Sequence, residues 1–171
     1  FSEAVTGFVV ADVTVSNGTA SNFAATSTSV YTFDVTPTAD GTVTVDVAAS
    51  VAIDASSNDN SAAAQLSVTY DATAPTVTLT TTATTFAAAF TATATFSEAV
   101  TGFVVADVTV SNGTASNFAA TSTSVYTFDV TPTVSGAVTV DVAGSVAIDA
   151  ASNNNTAATQ LSVTYDTSAP T

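Results

Sequence analysis

Tyr70-Asp71-Ala72-Thr73-Ala74-Pro75-Thr76 returns almost unchanged as Tyr165-Asp166-Thr167-Ser168-Ala169-Pro170-Thr171. Between the two copies lies one full period of 95 residues, at which Phe1-Ser2-Glu3 recurs as Phe96-Ser97-Glu98, Asp12 as Asp107, Asp34 as Asp129 and Asp54 as Asp149. About ten of the 76 overlapping positions differ, which is tandem duplication rather than distant kinship. The acidic, proline-closed stretch therefore links modules. It divides the chain into an N-terminally incomplete repeat over residues 1–74 and a complete one over 75–171.

The charge balance narrows the chemistry. Fourteen Asp and Glu stand against no Lys, Arg or His. A phosphate backbone repels such a surface, so nucleic acid is excluded as a partner, and so is electrostatic attraction to anionic lipid. Without a basic side chain no side-chain salt bridge forms, and each carboxylate has to be solvated, hydrogen-bonded or metal-bound. No apolar run approaches the ~20 residues of a membrane helix, so no membrane insertion is expected. Cys and Met are absent, which removes disulfides and the commonest oxidation targets and suits an extracellular life.

The second repeat predicts seven short strands. Alternation at period two marks strand A at 76–80, strand B at 86–96, C at 107–110, D at 115–120, E at 125–130, F at 138–142 and G at 161–165. Asn112-Gly113 reads as a hairpin turn after strand C, and Pro132 as the end of strand E. Short strands separated by turn residues, with no helical period, indicate an all-β fold of tandem Ig-like β-sandwich domains. A β-solenoid would need a subperiod of ~20 to 30 residues, which is not present. Phe1 is the equivalent of Phe96, so the first copy lacks strands A and B and keeps C to G with the end of B. Two explanations stand: the chain is cut from a longer array, or a neighbouring molecule donates the strands.

Four stretches carry a resemblance: Phe96-Ser97-Glu98-Ala99-Val100-Thr101-Gly102-Phe103, Asp107-Val108-Thr109-Val110-Ser111-Asn112-Gly113, Tyr126-Thr127-Phe128-Asp129-Val130-Thr131-Pro132 and Tyr165-Asp166-Thr167-Ser168-Ala169-Pro170. They resemble the bacterial Ig-like repeats of very large secreted and surface adhesins, the extender repeats of RTX-type adhesins among them. The resemblance implies an Ig-like sandwich used as a spacer or adhesive module at the bacterial cell surface. The family's loop pattern Asp-Ala-Ala-Gly-Asn appears here as Asp149-Ala150-Ala151-Ser152-Asn153 and Asp54-Ala55-Ser56-Ser57-Asn58. Serine in place of the glycine puts the geometry of that loop to the test.

Strand direction decides which loops meet. Successive strands run to opposite ends, so the B–C loop with Glu98 and the F–G loop with Asp149, Asn153, Asn154 and Asn155 return to the end where the link with Asp71 arrives, near Asp107. Such oxygens, gathered without a basic residue, are a candidate cage for Ca²⁺, which takes 6 to 8 of them. The equivalent set in the first repeat is Glu3, Asp12, Asp54, Asn58, Asp59 and Asn60, and Asp166 would serve a following domain. A site at the link would stiffen a string of repeats, helped by Pro75 and Pro170. The competing explanation is turn chemistry alone, because Asp, Asn and Ser hydrogen-bond the local backbone. Asp34, Asp46, Asp129 and Asp141 fall at outward strand positions and read as solvated surface charge.

Function classes separate on the same grounds. With no His, Lys, Arg or Cys, a general base would have to be a carboxylate, and an enzyme is not expected. Ice binding through the Thr rows 76, 78, 80 or 91, 93, 95 would need a flat face that a twisted sandwich does not offer. The contest is between a calcium-rigidified spacer of a giant bacterial surface protein, with neighbouring identical repeats as partners, and a subunit of a filament, sheath or surface layer assembled by strand complementation. Asn17-Gly18-Thr19, Asn112-Gly113-Thr114 and Asn154-Asn155-Thr156 fit the pattern for glycan attachment.

Overall fold

Val, Phe and Tyr alternating with Thr, Ser and Asp leave one face of each strand apolar, and two sheets bury those faces against each other. The structure, a computed structural model, describes residues 1–169 and resolves two units, Phe1–Ala72 and Thr73–Thr171. In the first, β1 (Val13–Ser16), β4 (Gly41–Val47) and β5 (Leu66–Tyr70) form a three-stranded sheet in the order β1-β4-β5. The other two strands, β2 (Gly18–Ala25) and β3 (Tyr31–Pro37), make an antiparallel pair. Val5, Phe8, Val13, Val45 and Ala52 are buried, with Tyr31, Phe33 and Val35 only partly covered.

The second unit has two four-stranded sheets. One runs β10-β11-β8-β6, from β6 (Val77–Thr81), β8 (Phe90–Phe96), β10 (Gly113–Ala120) and β11 (Val125–Pro132). The other runs β7-β13-β12-β9, from β7 (Thr85–Phe86), β9 (Val108–Ser111), β12 (Gly136–Val142) and β13 (Leu161–Tyr165). Register matches small residues to large ones: Ala92 lies opposite Phe128 and Ala94 opposite Tyr126. All four are buried, with Val130, Val138, Val140 and Val142 beside them in the same core. A side chain as large as Phe128, 1% exposed, contributes about 2–3 kcal/mol on burial. Phe96, Phe103, Phe118 and Tyr126 close one end, with ring centroids 5.1 to 5.8 Å apart. The Tyr126 hydroxyl donates to the Val100 carbonyl at 3.1 Å, as Tyr31 does to Val5.

The all-β sandwich matches the sequence reading, with three corrections. Strand B begins at Phe90, and Phe86 belongs instead to β7, which sits in the opposite sheet and runs parallel to β13. The polar stretch between Thr81 and Thr85 is thus where the first strand changes sheets. Asn112-Gly113 is not a hairpin: β9 pairs with β12 and β10 with β11, so the chain crosses between sheets there. Asn112, at φ 56°, donates from Nδ2 to the carbonyls of Val134 and Ala137 and accepts the Val134 N–H, pinning its own crossing to the β11–β12 crossing. Finally, strand E runs beyond Val130 through Thr131 to Pro132, its last residue, which pairs with Gly113.

The outward carboxylates are not merely solvated. Asp129 accepts from Asn117 Nδ2 at 2.8 Å and from Thr91 Oγ1 at 2.9 Å, which ties β10, β11 and β8 together on the outer face. Asp141 takes both oxygens to Gln160, Asp46 both to Gln65, and Asp34 accepts from Asn22. Every buried side-chain nitrogen and oxygen among the described residues has a partner.

Two outcomes are expected. The donations of Asn117 and then Thr91 hold the Asp129 carboxyl below its ordinary value of 3.8. Its contribution is therefore present above that value and lost as pH falls through the lower folded one. The melting temperature of the second repeat should drop on acidification below about pH 4, and Asp129→Asn should flatten that drop in a circular-dichroism pH series. Ser57 and Ser152, at φ 65° and 71°, occupy the left-handed region where a Cβ is unfavourable. Ser152→Gly should stabilise the second repeat by about 0.5–1 kcal/mol, raising its melting temperature by about 3–6 °C.

Candidate metal centre

In the second unit the loop before β9 and the loop before β13 are joined by a two-way backbone bridge. Thr101 N–H donates to the Ile148 carbonyl at 2.8 Å, and Ile148 N–H to that of Thr101 at 3.0 Å. Ile148 bridges Asn154 as well, which folds residues 149–153 into a tight turn with Asp149 at its inner corner. Asp149 is 5% exposed. Its Oδ1 accepts the Asn153 N–H at 2.8 Å and its Oδ2 the Asn153 side-chain amide at 2.9 Å. Burial pushes this carboxyl up, but donors from Asn153, Ala151 and Ser152 outweigh it and hold the group below its ordinary value. The left-handed Ser152 lets the loop close without the glycine of the family pattern.

Carboxylate oxygens of Asp71, Glu98 and Asp149 all lie within 4.8 Å of one another. Asp149 is buried, and Asp71 and Glu98 are half-buried. The link is held nearby, since the Pro75 carbonyl accepts the Thr156 N–H at 2.9 Å and Thr76 N–H donates to Ser97 Oγ at 3.0 Å. Oxygens on a sphere of radius about 2.4 Å, the length of a Ca²⁺–O bond, span up to about 4.8 Å. Three carboxylates at this spacing are a donor set of the kind a hard divalent cation takes. The chain offers no basic side chain to neutralise it from within.

The other candidates are occupied elsewhere. Asp107 Oδ2 accepts the Val104 N–H at 2.8 Å and closes a 3₁₀ turn, as Asp12 does for Val9. Asn155 spends its Oδ1 on the N–H groups of Val146 and Ala147 and its Nδ2 on the carbonyls of Ala143 and Thr156. Asn60 makes the same four bonds in the first repeat. Asn153 positions Asp149. In the first repeat Asp54 is held by Ser56 and Asn58 in the same turn, and its carboxyl is lowered chiefly by Asn58. Among the described residues no group of three acids forms around it with Glu3. Asp166 accepts the Ser168 N–H, which lowers it; Pro170 lies outside the described residues. Of the three glycan patterns, Asn17 and Asn112 have their amides tied into turns, while Asn154 is exposed. The sequence reading overlooked the bonds of Asn112, Asn117 and Gln160, although a turn-forming Asn and amides spaced against aspartates were their signal.

Comparison with known proteins places these features. The bacterial Ig-like domain family matches residues 1–70 and 71–165, so Asp71 opens the second match and falls in the same repeat as Glu98 and Asp149. No curated protein matches the chain. Among solved structures, one described as FdeC, a broadly conserved Escherichia coli adhesin, is similar at 16% identity and a TM-score of 0.43, over 88% of this chain and 51% of that one. This chain thus spans about half of that structure, at a distance too great to support an argument. Two consecutive matches cover nearly the whole sequence, and the chain belongs to the bacterial Ig-like domain family.

Proposed function

We propose that the chain is a non-catalytic adhesion-type extender segment of a large bacterial surface protein, working outside the cell and stiffened by calcium. The observation that carries this reading is the convergence of Asp71, Glu98 and Asp149 in a chain without a basic side chain. Asp71 sits on the sequence link between repeats, so a cation held there removes hinge freedom that a proline alone leaves. Near-identical repeats suit a spacer, whose demands are length and stiffness, better than a specific grip on a target. Extracellular sites of this type bind with dissociation constants of about 10⁻⁴ to 10⁻³ M. Occupancy then follows calcium outside cells and fails at cytosolic levels. Among the described residues no helix is long and apolar enough to cross a membrane.

Calorimetry and X-ray scattering test the reading on the intact chain. In 10 mM calcium, binding at those constants adds about 1.4–2.7 kcal/mol over excess EGTA. The expected result is a melting temperature raised by several degrees, a narrowed distribution of interatomic distances, and loss of both effects in Glu98→Gln and Asp149→Asn. Identical melting and scattering in calcium and EGTA would overturn it.

A further inference from the structure

Of the asparagines in the chain, only Asn17 and Asn112 precede a glycine, and the fold needs both members of each pair. Asn112 takes a left-handed φ of 56°, which Asn tolerates better than most side chains. Gly113 is fixed by space: a Cβ there would stand 2.8 Å from the Thr131 carbonyl oxygen and 3.3 Å from Pro132 Cα, on the strand it pairs with. The Asn112 side chain is drawn across to the β11–β12 crossing. There Nδ2 donates to the Val134 and Ala137 carbonyls at 2.8 and 3.1 Å, and Oδ1 accepts the Val134 N–H at 3.2 Å. The Asn112 main-chain carbonyl accepts the Thr133 N–H at 3.0 Å. Asn17, at φ 52°, repeats the arrangement with Ala39, Thr42 and Thr38, and a Cβ on Gly18 would meet the Thr36 carbonyl oxygen at 2.9 Å. Ala39 is replaced by Val134 and Thr42 by Ala137 between the copies, yet the bonds persist because they are made to the backbone.

A main-chain nitrogen reaches the side-chain amide before it most readily when that nitrogen belongs to glycine, which puts no Cβ in the way. We infer that Asn112-Gly113 is a latent modification site, closed to reaction while the repeat is folded and converted to aspartate or isoaspartate by water once it opens. The Gly113 nitrogen attacks Asn112 Cγ and gives its proton to water, and the Cγ–Nδ2 bond breaks as ammonia leaves. Water then adds to either carbonyl of the cyclic imide and opens it, so one water is consumed for each ammonia released. In the folded repeat, turning Cγ toward Gly113 takes Nδ2 and Oδ1 away from Val134 and Ala137. Opening is therefore the gate. The product does not remake the old bonds. A carboxylate has no donor for the carbonyls that Nδ2 served, and it sets a negative charge against them in a chain that already has fourteen acids and no basic side chain. Isoaspartate also adds a carbon to the main chain where it crosses between sheets. A repeat that has stayed open thus carries a mark that refolding does not erase, and closes again with a weaker link between its two crossings.

The test incubates the full chain in mildly alkaline buffer, folded or in concentrated urea, with EGTA so that calcium plays no part. A glutamate-specific protease cuts the denatured chain after Glu3 and Glu98 alone, which leaves Asn112 in the fragment 99–171, apart from Asn17. Tandem mass spectrometry then locates the new acid. Conversion at Asn112 is expected in urea and should run at least about tenfold slower in the folded chain, where only the opened fraction reacts. Chain converted in urea and refolded, and the variant Asn112→Asp, should each melt at least about 4 °C lower in the second repeat. Thr159→Asp places the same charge at an exposed loop position and should melt with the wild type. The deficit of Asn112→Asp should narrow as pH falls towards about 4, where a protonated carboxyl regains a donor. An Asn112→Asp chain that does not fold, beside a folded Thr159→Asp, counts as the same loss. No conversion in urea, equal rates in the folded and unfolded chain, or unchanged melting of the converted protein would overturn the inference. An equal loss in Thr159→Asp would overturn it too, because added charge alone would then be the cause.

Discussion

A protein with acids and no bases has to hold its carboxylates with neutral donors, and that constraint shapes both the outside of the sandwich and its loops. On the outer faces the answer is a side-chain amide or hydroxyl one strand away: Asn117 and Thr91 for Asp129, Gln160 for Asp141. In the loops it is the backbone itself, with Asp149, Asp54, Asp107 and Asp12 each accepting N–H groups from a few residues away. These bonds are local in the loops and cross-strand on the sheets, so the acids that would otherwise repel one another become fasteners of the fold. Only at Asp71, Glu98 and Asp149 do three carboxylates among the described residues come within 4.8 Å of one another.

The two repeats act as controls for each other. Their residues around β3 and β11 are the same from Phe1 to Pro37 and from Phe96 to Pro132, and Phe128 and Val130 on β11 are covered in the second unit by β8, which pairs with that strand. The end of the core built by the aromatic cluster is alike in both, with Phe8, Phe23 and Tyr31 arranged as Phe103, Phe118 and Tyr126 are. The opposite side depends on Phe90, Ala92 and Ala94. The core therefore divides into a part that residues 1–72 make for themselves and a part that residues 77–95 close in the second unit.

Much of this was legible beforehand. Alternation in Phe90–Phe96, Val125–Pro132 and Gly136–Val142 reveals strands because one face of each is buried, and the parity of strand direction brings Glu98 and Asp149 to the same end. What alternation does not carry is sheet membership. Thr85-Phe86 is two residues long in a polar run, so nothing local assigns it to the far sheet. Asn112-Gly113 has the φ preference of a tight turn, but the same backbone serves a crossing between sheets, and only long-range pairing distinguishes the two. The site divides likewise: Asp107 and Asn155 are acids or amides in the right loops, yet the exact shape of a 3₁₀ turn and of a four-bond amide staple decides that their oxygens face backbone N–H groups.

The parallel pairing of β7 with β13 has a mechanical meaning. β7 lies near the start of the complete repeat and β13 near its end, and they are joined by Thr164 N–H to Thr84 and Asp166 N–H to Phe86, each at 2.8 Å. Tension on the two ends of the repeat pulls parallel neighbours in opposite directions, so these bonds are strained together in shear and must rupture as a group rather than peel one at a time. A tether built from such repeats would yield in abrupt steps under load, one sandwich after another, instead of stretching smoothly.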